Sequence, residues 1–107
     1  MRYSFCILSA PNTASANTAL AFAHALSNQD HSLYRVFFQG EGVKHCEQPD
    51  AWIALANTHD CDLVLCSNAM HEYALSCPGH GRFSIGGLIL LAEAASTSDR
   101  LINWGGA

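Results

Sequence analysis

A glycine-rich phosphate loop, a C-x-x-C pair, an H-E-x-x-H helix and a G-x-S-x-G elbow are all missing from this chain of 107 residues. Their absence removes the common signatures of nucleotide binding, zinc hydrolysis and serine hydrolysis. Gly40-Glu41-Gly42 and Gly79-His80-Gly81 are G-x-G fragments without the third glycine, and both read as turns. Charge is scarce as well, with 13% of residues charged and a net charge of −4. The five cations, Arg2, Arg35, Lys44, Arg82 and Arg100, are scattered. They make no basic stripe along a phosphate backbone, which argues against direct nucleic-acid binding. No apolar run is long enough to span a bilayer, and Phe5 to Ala10 is too short for a secretion signal and has no cleavage region. The expected compartment is the cytoplasm, with no membrane contact.

What is present is a hydrophobic chain, half of its residues being apolar. So low a charge fraction leaves apolar surface for another subunit to cover, so a homo-oligomer or a mixed oligomer is expected. The length suits one domain spanning residues 1–107, with no repeat or linker to divide it. Five cysteines, Cys6, Cys46, Cys61, Cys66 and Cys77, are irregularly spaced and odd in number. Without a secretion signal they read as reduced thiols rather than a disulfide framework. Along an extended segment Cys61 and Cys66 lie roughly 16 Å apart, too far to chelate one ion. Neither a metal nor any other cofactor is expected.

Apolar periodicity alternates between the two regular structures. Tyr3 to Ser9 reads as a strand, and Pro11-Asn12-Thr13 breaks it and caps a helix over 14–27 whose buried face holds Ala19, Phe22, Ala23 and Leu26. Ser32 to Gln39 is a second strand ended by Gly40-Glu41-Gly42. Pro49 suits the first turn of a helix through Asn57, and Asp62 to Cys66 is a third strand. A helix from Ser67 to Leu75 is followed by a loop over 76–81, where proline and two glycines cluster. Ser84 is placed to cap a last helix through Ala95, and Arg100 to Trp104 is a last strand. Alternating strands and helices predict a three-layer α/β/α fold around a mainly parallel sheet of four to five strands on a flavodoxin-like plan, with any fifth strand short and between residues 76 and 84.

Cys66 stands out within that plan. It closes the third strand where a helix begins, at the carboxyl end of the sheet where open α/β folds build their sites. The unpaired N–H groups of a following helix favour thiolate, the reactive form of cysteine. Ser67 or Asn68 is expected as the cap, and His71 lies about one turn further on. These three are the residues expected to meet a substrate at Cys66, while Glu72 would oppose an anion there if it pointed the same way. Cys6 and Cys61 are expected to be buried in or beside strands.

Several segments in order along the chain resemble the DsrE/TusD family of sulfur-relay proteins. They are Ser9-Ala10-Pro11, the helix Ala19 to Leu26, the Val36-Phe37-Phe38-Gln39-Gly40-Glu41-Gly42-Val43 stretch, Leu65-Cys66, Phe83 to Leu88 with Leu91 to Ala94, and Ser98 to Trp104. The resemblance implies a DsrEFH-like fold and a sulfurtransferase in which Cys66 carries sulfane sulfur as a persulfide. It implies related subunits in a mixed complex, small carrier proteins as donor and acceptor, and a relay serving tRNA wobble-uridine 2-thiolation or sulfur oxidation. Two departures are visible: no Arg-Arg-Gly turn follows the cysteine, and the stretch between the second strand and second helix is short. A non-catalytic assembly subunit and a small-ligand module remain alternatives, the latter with Ser9 to Ser15 as its loop.

Overall fold

The computed structural model describes residues 1–77 and 81–105 of the chain. Five strands form one sheet: β1 (Arg2–Ile7), β2 (Ser32–Phe38), β3 (Asp62–Cys66), β4 (Phe83–Gly86) and β5 (Arg100–Trp104). They lie in the order β4-β3-β2-β1-β5, and every neighbouring pair is parallel. The last four residues of β1, β2 and β3 are all buried, as expected of strands covered on both faces. β4 and β5 are the edges and stay partly exposed.

Connection handedness distributes the helices. From β1 to β4 the chain steps steadily toward one edge, so right-handed crossovers place α1 (Ala14–Ser27) and α2 (Asp50–His59) on one face. From β4 it must return past three strands to β5, and the same handedness puts α4 (Leu88–Thr97) on the other. Side chains confirm both assignments. On the first face Phe22 of α1 packs edge-on to Phe5 at 5.9 Å, and Trp52 of α2 packs on Phe38 at 5.4 Å. On the opposite face the buried Arg35 guanidinium donates to the Leu90 carbonyl and to Glu93 of α4, each at 2.9 Å, and to Asp62 at 2.9 Å.

Local signals place α1 well. The Thr13 hydroxyl accepts from the Ala16 N–H at 3.2 Å, and Ala16, Ala19, Ala23 and Leu26 are buried at helical spacing. Elsewhere the structure departs from expectation. Residues Gly40–Glu47 form a 3-10 helix where a turn is predicted. Pro49 is the residue before α2 rather than inside it, and that helix runs two residues beyond Asn57. The helix after β3, α3 (Ser67–Glu72), stops before Leu75, because Ala74 takes a left-handed conformation with φ 52°. Ser84 caps no helix: it lies in β4, paired with Val64, and α4 begins after Gly87. The fifth strand thus begins within the stretch expected to hold it, at Phe83 and Ser84, and runs two residues past it to Gly86, and residues 78–80 of the predicted loop lie outside the described residues.

The cysteines require a larger correction. Cys46 and Cys77, 31 residues apart, form a disulfide with a Cα–Cα distance of 5.9 Å, so the reading of five reduced thiols holds only for Cys6, Cys61 and Cys66. Sequence spacing cannot reveal it, because folding brings the 3-10 helix and the segment after α3 together, within the range a bridge allows.

Candidate functional site

Cys66 is the last residue of β3 and the one that precedes α3, with φ −62° and ψ 122°. It therefore occupies the cap position itself, in place of the expected Ser67 or Asn68, and its side chain makes no capping hydrogen bond. The strand registers define its neighbours. Ile7 pairs with Phe38, Phe38 with Leu65 and Cys66 with Gly86, and the Gln39 N–H continues the ladder to the Ile7 carbonyl at 2.9 Å. One step beyond the Ile7, Phe38 and Leu65 row stand Leu8, Gln39 and Cys66, with Gly86 completing it. Side chains in such a row share one face of the sheet, with strands about 4.8 Å apart. Here it is the face covered by α4.

Leu8, Gln39 and Cys66 line a cavity of about 270 Å³ that is completed by Gly40, Asn68, Ala69, Glu72 and Leu88. Gly86 adds no side chain to the row, and a Cβ there would strike the Leu90 side chain of α4. Cys66 is only 3% exposed, so the cavity is its approach. Gly42 shapes the neighbouring wall. A Cβ on it would collide with the Ile7 carbonyl oxygen, so only glycine lets the 3-10 helix pack this closely on the end of β1.

The expected contact residues separate. Asn68 lines the cavity, whereas Ser67 and His71 are exposed on α3 and do not line it. Glu72 does line it, which puts a negatively charged residue beside the cavity that holds Cys66. Gln39, Leu8 and Leu88 were not singled out from sequence. The signal that finds Gln39 is alternation: it follows the buried run of β2 by one residue, as Cys66 follows Leu65.

The other thiols are shielded. Burial pushes Cys6 up to about 11, with the neighbouring Cys66 adding to the rise, and burial likewise lifts Cys61 to about 11. Both thus keep their protons near neutrality. The Cys6 thiol donates to the Gln39 Oε1 at 3.5 Å. A second, smaller recess of about 110 Å³ lies beside Asn12, Asn17, His45 and Trp52. Its buried His45 accepts from the Trp52 indole N–H at 3.2 Å and donates to the Ser9 carbonyl at 3.1 Å. Burial lowers its pKa, which holds the ring neutral. Among the described residues no group of three or more His, Cys, Asp or Glu gathers to hold a metal ion, and no helix is long and apolar enough to cross a membrane.

The sequence profile of the DsrE/DsrF-like family matches residues 1–104. The chain belongs to that family. Among DsrE/DsrF-like relatives, Sulfurtransferase TusD of Proteus mirabilis is 31% identical over an alignment covering 97% of this chain and all of that protein. Sulfurtransferase TusD of Salmonella newport is 33% identical over the same shares. By that relationship this DsrE/DsrF-like chain is a sulfurtransferase. The alignments span 130 and 128 positions against 107 residues here, so the relatives carry residues this chain lacks. The crystal structure of the ychN protein from E. coli has the same fold, with a TM-score of 0.72 over 96% of this chain and 99% of that one at 19% identity.

Proposed function

We propose that the chain is a sulfur-relay protein that accepts sulfane sulfur on Cys66 and passes it on as a persulfide. A Cys66 thiolate attacks the outer sulfur of a donor persulfide, R–S–SH. The bond from Cys66 Sγ to that sulfur forms as the bond to the donor sulfur breaks, and the donor leaves as R–S⁻. Charge and sulfur oxidation level balance without any co-reactant. Release is the same exchange, with an acceptor thiolate attacking the sulfur now carried by Cys66.

The observation that carries this reading is the placement of Cys66 at the end of a cavity at the carboxyl edge of the sheet, with its two free companions buried and protonated. The TusD relatives supply the sulfur. Asn68 contacts the incoming group in the cavity, and Ser67 and His71, exposed on α3, meet the docking protein. The destination is tRNA wobble-uridine 2-thiolation in the cytoplasm. The partners are small sulfur carriers and related family subunits, and the latter cover the exposed Ile85, Leu88 and Ile89 (61%, 51% and 76% exposed) beside the free edge of β4.

The test is to incubate the chain with a cysteine desulfurase, cysteine and a carrier protein, and to read its intact mass. One sulfur atom removable by reductant should appear on the wild type and be absent from Cys66→Ser. Equal labelling of that variant defeats the assignment.

A further inference from the structure

We infer that the Gln39 carboxamide is the hydrogen-bond donor to the anionic sulfur on Cys66, whether thiolate or outer persulfide sulfur, and that Cys6 is the residue that positions it. The persulfide half of this rests on the function proposed above; the thiolate half does not. Gln39 stands between two cysteines. β2 lies between β1 and β3, and the parallel register sets Gln39 beside Cys66 on one face, both lining the same cavity.

The orientation of the amide follows from Cys6. Its buried thiol keeps its proton, so it is a donor, and only the oxygen of a carboxamide can accept from it. Holding Oε1 on the β1 side leaves the two N–H donors of Nε2 toward β3, where Cys66 ends. A donor is needed there. Among the described residues Glu72 is the only charged one lining the cavity, and its sign is wrong for an anion. Asn68 also carries an amide, but it is exposed, and among the described residues no side-chain hydrogen bond fixes it in the way Cys6 fixes Gln39.

The experiment measures Cys66 alkylation by iodoacetamide, mapped by peptide mass with the Cys46–Cys77 bridge intact, alongside sulfur loading from a desulfurase. Gln39→Glu keeps the shape and the acceptor for Cys6 but has no donor; Gln39→Met is neutral and has none. Both should be at least about tenfold slower, the size of one hydrogen bond to a charged group. Gln39→Lys, which restores a donor, should recover the wild-type rate, a recovery that a merely structural role would not produce. Cys6→Ala should fall between, since it frees the amide without removing it. Gln39→Glu alkylated at the wild-type rate, or Gln39→Lys as slow as Gln39→Glu, overturns the inference. If the wild type takes up no sulfur while the alkylation pattern holds, the persulfide reading falls and the role of Gln39 stands. If sulfur loads equally well in all variants and alkylation is unchanged, the reverse follows.

Discussion

Breaking the Cys46–Cys77 bridge should weaken both the fold and the cavity wall. The cysteines are 31 residues apart, and closing a loop of that length removes about 12 cal/mol/K of denatured-chain entropy, or roughly 3.5 kcal/mol at 25 °C. Little offsets this on the folded side. Cys46 is buried, and a free thiol there behaves as a small hydrophobe with no charge to accommodate. Against the roughly 5–15 kcal/mol that holds a typical domain together, the bridge is a large share. Its loss should also be felt at the site. Cys46 lies on the 3-10 helix that contributes Gly40 to the cavity, and Cys77 follows α3, which contributes Asn68, Ala69 and Glu72. Urea unfolding of the oxidised chain, the reduced chain and Cys46→Ala/Cys77→Ala should show the last two alike and about 3 kcal/mol or more below the first, with Cys66 alkylated severalfold faster. A difference under about 1 kcal/mol, or five free thiols in the unreduced protein by alkylation mass, would refute the reasoning.

Glu72→Gln should raise the alkylation rate of Cys66 about threefold, or ~0.6 kcal/mol of like-charge interaction across the cavity, and the gain should shrink in high salt; an unchanged rate at low salt would show that the carboxylate does not act on the sulfur. Alkaline stability should report the two buried thiols. Cys6 and Cys61 are each raised from 9.0 to about 11, so above pH 9 the unfolded chain gives up these protons first and binds fewer than the folded one. Stability therefore falls from about pH 9 and levels near 11, by roughly 2–3 kcal/mol per thiol. Cys6→Ala/Cys61→Ala should remove that part of the slope in denaturant titrations, and an identical slope in the variant would count against the burial of these thiols.

Much of this protein is written locally in its sequence. Thr13 followed by alanines and leucine at helical spacing determines α1 to the residue, and the short apolar runs ending at Cys66 and Trp104 determine β3 and β5, because a cap and a periodicity act over a few residues. The position of Cys66 at a strand end came with them. Other features rest on pairings between distant segments and are fixed only when the chain folds. Ser84 is a reasonable helix cap in isolation, yet it joins β4 because β3 offers an unpaired edge. Cys46 and Cys77 carry no spacing signature and meet only when the 3-10 helix packs beside the end of α3. Gln39 is an unremarkable polar residue after a strand until parallel register sets it next to Cys66, with Cys6 holding its oxygen from the other side. Register is a property of two strands at once, and neither strand's own residues specify which partner lies alongside or in what phase.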